Sequence, residues 1–289
     1  MQIRPMTPAD VDAAVELARA QGFRDRHLFF EFVFRTPTAQ PLVGTIDGRV
    51  IATGLATANG PVGWLGGIVV AAEHRRQGFG KAMTDELIRL LRAAGCETLS
   101  LEATDIGRPM YERMGFRLTT HYHQLQADHL EASPEPPPGA RVRRLEQGDL
   151  PAIFELDRLA TAEDRTGPLR ALAETGGWLL EDEVGRGEAS GGGPGGGGLR
   201  GFLLPAERAY GAIVAPRFED GLYLLDLHRS IVPAGAHVRA GIPDEHAAAW
   251  RELLARGWQE TWQAPRMLLG PDVPWRPTWI WGQINSAMG

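Results

Sequence analysis

Apolar positions along the first part of the chain change rhythm several times, and each rhythm predicts an element. Gln2 to Met6 reads as a strand. Val11, Ala14, Val15 and Ala18 then fall at helical spacing, with Thr7 or Asp10 as cap, and predict a helix to about Ala20. A second short helix spans His27 to Phe34. Leu42 to Ile46, Arg49 to Ala58 and Gly63 to Val70 read as three strands, the first two joined by an Asp47-Gly48 hairpin turn. A helical pattern over Lys81 to Ala94, a strand over Thr98 to Ala103 and a helix over Gly107 to Met114 follow. Gly115 ends that helix, and Phe116 to Gln126 is a closing strand.

The pattern breaks at Ala132 to Gly139, a proline-rich spacer that divides the chain into nearly equal parts. The parts look like repeats. Residues 3–17 line up with 142–156 at an offset of 139, matching Arg4 with Arg143, Asp10 with Asp149 and Glu16 with Glu155. Gly67 to Val70 resembles Gly211 to Val214, and Tyr111 to Phe116 resembles Leu253 to Trp258. A repeat this long implies duplicated domains rather than a solenoid. The expected organisation is a domain over 1–130, a linker over 131–140 and a second domain over 141–289. A glycine-rich stretch at 185–198 reads as a surface loop, having too little apolar content to pack.

At 289 residues the chain is long for one core and natural for two. Its net charge of −6 argues against a general nucleic-acid binder. One cysteine, Cys96, excludes an internal disulfide framework and a cysteine cluster for zinc. The acidic N-terminal stretch is unlike a signal peptide, and no uncharged apolar run reaches membrane-spanning length. A cytoplasmic location is expected.

The most informative stretch is His74 to Met83, a basic, glycine-broken loop between a strand and a helix. Such a loop turns backbone N–H groups and a helix N-terminus toward one point, which suits an anion. Gly78 and Gly80 keep side chains clear and allow positive φ. Arg75, Arg76 and Lys81 add positive charge, and His74 is expected on the surface beside them. A phosphate or pyrophosphate is the obvious guest.

The element order, with Arg75-x-x-Gly78-x-Gly80, resembles the GNAT superfamily of acyl-CoA-dependent N-acetyltransferases. Gly107 to Phe116 also resembles that family's late Tyr-x-x-x-Gly-Phe element, with Leu101 to Thr104 leading into it. The end of the chain, Ala264 to Met267 through Trp281-Gly282, looks like tandem GNAT proteins whose second half is a diverged copy. The resemblance implies an α/β (α+β) fold of two tandem GNAT-like domains, each a mixed, mostly antiparallel twisted sheet flanked by helices. It implies acetyl-CoA as acyl donor and no metal. The pyrophosphate would be held by Gln77, Gly78, Phe79, Gly80 and Lys81, with Arg75 and Arg76 alongside. Pantetheine would run along the backbone of Ile68, Val69 and Val70, where the fourth strand splays from the fifth.

Amide formation from a thioester needs a base for the amine, a donor for the oxyanion and an acid for the leaving thiolate. The resemblance places the oxyanion donor on the backbone near Val70 and the acid at Tyr111. Glu102, at the end of the fifth strand, and Asp105, just after it, are candidate bases. The bland alternatives are a core tyrosine, a solvated strand glutamate and a helix cap at Asp105. His121 and His123 alternate along the closing strand and so face one side. With no third ligand evident, they read as exposed strand residues rather than a metal pair.

The second half departs from the pattern. A shift of 145 sets Asp220, Tyr223 and Leu225 against Arg75, Gly78 and Gly80. An acid and two bulky side chains would repel and block a pyrophosphate, so this half is not expected to hold coenzyme A. Its tryptophans are expected mainly in the core. The function expected is acetyl transfer to a primary amine on a small molecule. Two other classes stay open: a non-catalytic acyl-CoA sensor, and a transferase acting on a protein or aminoacyl-tRNA amine. A homodimer also stays open, and acceptor specificity would lie in Gln21 to Thr36.

Overall fold

The computed structural model describes every residue except 24–25, 184–197 and 207–209. The glycine-rich stretch therefore lies, up to residue 197, outside the described residues. The first run of elements is β1 (Gln2–Pro5), α1 (Val11–Arg19), α2 (His27–Arg35), β2 (Ala39–Ile46), β3 (Arg49–Asn59), β4 (Val62–Val70), α3 (Phe79–Ala93), β5 (Thr98–Glu102), α4 (Arg108–Arg113) and β6 (Arg117–Asp128). The second run repeats it: β7 (Ala140–Arg144), α5 (Leu150–Thr161), α6 (Thr166–Ala173), β8 (Trp178–Asp182), β9 (Leu199–Pro205), β10 (Gly211–Val214), α7 (Phe218–Ile231), β11 (His237–Pro243), α8 (Ala247–Ala255) and β12 (Gln259–Leu269). A short β13 (Ile280–Gly282) ends it. The two runs form tandem domains of one fold, each a largely antiparallel sheet with helices against it.

The chain does not divide at the proline-rich spacer. One compact unit is Met1–Leu118 together with Met267–Asp272 and Ser286–Gly289; the other is Thr119–Arg266 with Val273–Asn285. The division expected at residue 130 thus gives way to one at Leu118. Nearly all of β6, read from sequence as the first half's closing strand, pairs in the second unit instead, with Tyr122–Asp128 against Pro243–His237 of β11. The first unit takes its last edge from the end of the chain. There Thr98 donates its hydroxyl to the Pro271 carbonyl at 2.8 Å. Ala287 lies directly on Gly66, where an added Cβ would come within 2.2 Å of the Ala287 Cβ. Local pattern cannot reveal such an exchange, because each strand keeps its own alternation whichever sheet receives it.

In the first unit the sheet runs β1-β2-β3-β4-β5, with β1 to β4 antiparallel and β4 parallel to β5. Helix α3 covers one face because Met83, Leu87 and Leu91 recur every four residues and are almost wholly buried. Each such side chain contributes about 1.5–3 kcal/mol when removed from water. Gly54 and Gly63 let the helix lie close: an added Cβ would come within 3 Å of Met83 and Leu91 respectively. Helices α1 and α2 cover the other face, with Ala14, Val15 and Phe30 packed on Val43.

Candidate acyl-transfer site

Strands β4 and β5 pair only at Val62, Gly63 and Trp64, against Thr98, Leu99 and Ser100. Beyond Trp64 no described strand pairs with the edge of β4 facing β5. On its other edge β4 carries a bulge: Val69 opposes Thr53 and Gly66 opposes Leu55, so Gly67 and Ile68 share the single partner Gly54. Gly67 has φ +57°, a conformation that favours glycine. Thr53 donates its hydroxyl to the Gly67 carbonyl at 2.8 Å.

The bulge decides which amides face the gap. The N–H of Ala71 bonds the Ile51 carbonyl of β3 at 2.9 Å. Successive N–H groups in a strand point to opposite edges, so that of Val70 turns away from β3 toward the unpaired side. The Val70 carbonyl points the same way and accepts from Arg75 Nε at 3.3 Å.

The basic loop follows at once. A 3-10 turn over Ala72–His74 leads to Arg76 at φ +59° and Gly78 at φ +84°, which caps α3. The first helical bond runs from Ala82 N–H to the Gly78 carbonyl, 2.9 Å. Among the described residues no hydrogen bond takes the N–H groups of Gly78, Phe79, Gly80 or Lys81. This is a row of free donors at the positive end of a fifteen-residue helix. A Cβ on Gly78 would meet nothing within 4 Å, so the space before the row is open and φ alone calls for glycine there. At Gly80 an added Cβ would touch Met110 Sδ at 3.7 Å and Val70 Cγ2 at 3.8 Å. The start of α3, the end of β4 and α4 therefore meet at one point. Lys81 is exposed and bonded to Asp85 at 2.7 Å, while Arg75 also reaches the side-chain carbonyl of Gln21.

Tyr111, on α4, is 8% exposed and belongs to the core cluster against which Ile68, Val70 and Met110 also pack. Phe116 stands edge-on to its ring, 5.8 Å between centroids. Burial pushes its phenol up to about 12, so it keeps its proton across the physiological range. Glu102 is half-buried at the end of β5, and Asp105 is exposed in the turn that follows. Asp105 is not the helix cap: Thr104 Oγ1 accepts the Gly107 N–H at 3.2 Å. A cavity on the α1–α2 face meets the bulge, lined by Ala18, Phe29 and Phe30 on one side and Thr53, Leu55 and Gly67 on the other, with Arg26 beside them. Thr53 and the bulge escape sequence reading, the one hint being the Gly66-Gly67 pair inside an apolar strand.

The corresponding place in the second unit is built differently. Three residues, Ala215 to Arg217, join β10 to α7, where eight, Ala71 to Gly78, join β4 to α3. The shift of 145 carried the alignment past this five-residue deletion; Gly78 answers to the cap Arg217, and Asp220, Tyr223 and Leu225 lie inside α7. Asp220 is fully buried against Arg200, 2.5 Å between Oδ1 and Nη2. Strands β10 and β11 do not pair; β13 runs antiparallel to β10 and contacts β11. Trp281 of β13 is fully buried over Gly221, where an added Cβ would fall 1.9 Å from its ring. Trp258 is also core, whereas Trp262 is 39% exposed.

The paired histidines do face one side, but they are not free strand residues. His121 Nδ1 and His123 Nε2 lie 3.0 and 2.8 Å from the two oxygens of Asp244. His123 is buried, stacks on Trp250 at 4.3 Å and reaches Glu260 at 3.1 Å. Among the described residues no group of three or more His, Cys, Asp or Glu is placed to hold a metal ion, and no helix is long and apolar enough to cross a membrane.

These features define an acyltransferase domain. Residues 10–116 match the acetyltransferase (GNAT) family, and this stretch is a GNAT N-acetyltransferase domain. Glucosamine 6-phosphate N-acetyltransferase of Trypanosoma brucei brucei is 29% identical over 123 residues, 43% of this chain and 82% of that one. The fold of a Pyrococcus horikoshii protein assigned as an acetyltransferase covers 100% of this chain and 95% of its own, at a TM-score of 0.80 and 20% identity. A tandem GNAT protein from the clavulanic acid biosynthesis pathway covers 94% and 99%, with a TM-score of 0.63 and 17% identity.

Proposed function

We propose that the first unit transfers an acetyl group from acetyl-CoA to the primary amine of a small molecule, by direct attack of the amine on the thioester. The observation that carries the reading is the meeting of two sets of unbonded backbone groups among the described residues. The free N–H groups of Gly78 to Lys81 adjoin the unpaired edge of β4 at Val70. The first suits a pyrophosphate, with Arg75, Arg76 and Gln77 alongside. The second suits an extended amide chain laid along Ile68, Val69 and Val70.

In the reaction the amine nitrogen forms its bond to the acyl carbon as the carbon–sulfur bond breaks. The Val70 N–H donates to the oxygen on which charge develops. Tyr111 gives its proton to the departing sulfur. An unperturbed thiol ionises near 8.5, so this transfer is uphill unless the thiolate is raised by the same burial that raises the phenol. Glu102, half-buried at the end of β5 where Asp105 is exposed, accepts the amine proton directly or through a water.

The glucosamine 6-phosphate named in the trypanosomal relative supports a small acceptor. The second unit, with its short β10–α7 link and β13 in the place of the gap, is assigned no acyl donor. Gly78→Glu with Gly80→Glu tests the donor site: calorimetry should show loss of coenzyme A binding, and unchanged affinity removes the assignment. A thiol-release screen over varied amines then tests the acceptor. Coenzyme A binding with no release by any amine would favour a sensor, and release only with protein or aminoacyl-tRNA would favour a macromolecular acceptor.

A further inference from the structure

We infer that Thr53 is a positioning residue for acyl transfer, acting through the Gly67 carbonyl to hold the bulge that aims the Val70 N–H into the gap. The inference rests on the proposed reaction and adds a residue to it. Thr53 lies on β3, 5% exposed, on the face that α1 covers. Its hydroxyl donates 2.8 Å to the carbonyl of Gly67, the residue at φ +57° within the bulge. An added Cβ at Gly67 would meet only Leu55 Cβ, at 3.8 Å, so the positive φ and not crowding calls for glycine there. The described contact that does engage it is the Thr53 hydroxyl.

The consequence follows from strand parity. Gly66 pairs with Leu55, so a regular ladder would continue with Ile68 opposite Thr53, Val69 opposite Ala52 and Val70 opposite Ile51. The position opposite Ile51 is the one whose N–H bonds the Ile51 carbonyl, a place Ala71 holds in the bulged strand. Without the extra residue the Val70 N–H would turn onto β3, and Val69 would face the gap in its stead. A one-residue slip reverses every group on the strand. The bulge therefore selects the amide presented to the acyl group, and Thr53 holds the bulge. Thr53 and Gly67 also line the small cavity on the α1–α2 face, so the held segment stands between that face and the gap.

Thr53→Val keeps the shape and removes the donated hydrogen bond; Thr53→Ser keeps the hydroxyl. The test uses the whole chain, acetyl-CoA and the best amine from the thiol-release screen. Thr53→Val should lower kcat about 10- to 100-fold while KM for acetyl-CoA stays within about 2-fold, and Thr53→Ser should recover most of the rate. A Thr53→Val chain with wild-type kcat overturns the inference and leaves the proposed function standing. A loss that Thr53→Ser does not restore, accompanied by a lower Tm in both variants, overturns it in favour of a purely structural threonine. Wild-type protein that releases no thiol with any amine overturns the reaction and this inference together.

Discussion

Arg4 grips Asp10 through two parallel bonds of 2.8 and 2.7 Å, and the same pair recurs as Arg143 on Asp149, both bonds 2.7 Å. In each unit the aspartate also takes a backbone N–H three residues earlier, from Thr7 or Glu146, and so closes the turn into the first long helix. Each arginine holds its carboxyl well below the usual carboxylate range. A depressed carboxyl contributes stability that is complete above about pH 4 and is lost as pH falls toward its folded value. Asp10→Asn and Asp149→Asn should each lower Tm by about 2–4 °C at pH 7 and less at pH 3. Calorimetric melts at the two pH values check this, and an equal loss at both would remove the ionic argument.

Coenzyme A should bind once per chain. Calorimetric stoichiometry near one is expected, for wild type and equally for Trp281→Ala. Removing the indole from the β10–β11 gap restores neither the missing link residues nor a glycine at Arg217. A second equivalent in either protein would show the second unit to be a donor site.

Tyr111→Phe should reduce kcat about 100-fold with little change in KM for acetyl-CoA. With its phenol raised to about 12, Tyr111 contributes no fall in rate between pH 7 and 10. Comparing kcat–pH profiles of the two proteins checks both statements; a wild-type alkaline limb near pH 9 that disappears in Tyr111→Phe would contradict the second.

His228 is buried on α7, and neither ring nitrogen has a hydrogen-bond partner among the described residues. Burial pushes it from 6.5 down to about 4. The unfolded chain takes up the proton first on acidification. Stability tied to the neutral ring is therefore full above pH 6.5 and declines by about 3 kcal/mol toward pH 4. His228→Leu should flatten that decline in urea melts and leave stability at pH 7.5 equal or higher.

A fragment of residues 1–130 should not behave as a domain. It lacks Met267–Asp272 and Ser286–Gly289, which complete the first unit. A broad, uncooperative urea transition and no coenzyme A binding are expected. Cooperative unfolding with full-length affinity would show those segments to be dispensable.

The order of elements was legible because each strand and helix carries its own period, and the duplication because Arg4, Asp10, Arg143 and Asp149 keep a shared turn. The glycine-broken loop before α3 was legible because Gly78 has a conformational role that other residues fill poorly. The helix begins at Phe79 rather than Lys81, since its first turn is set by free N–H groups and not by apolar spacing. Three features were not legible. The exchange of β6 and the end of β12 depends on which sheet receives a strand. The link before α7 needed an insertion-aware alignment. The acids that meet His121 and His123 come from Asp244 and Glu260, more than a hundred residues away.

The return of residues 267–272 and 286–289 to the first unit also orders events at the ribosome. Translation delivers the loop, the bulge and Tyr111 early, yet the unit that carries them stays unfinished until residues 286–289 are made. A nascent or prematurely terminated chain can thus hold every residue proposed for catalysis and still lack the assembled site. Activity becomes a report that synthesis passed residues 286–289.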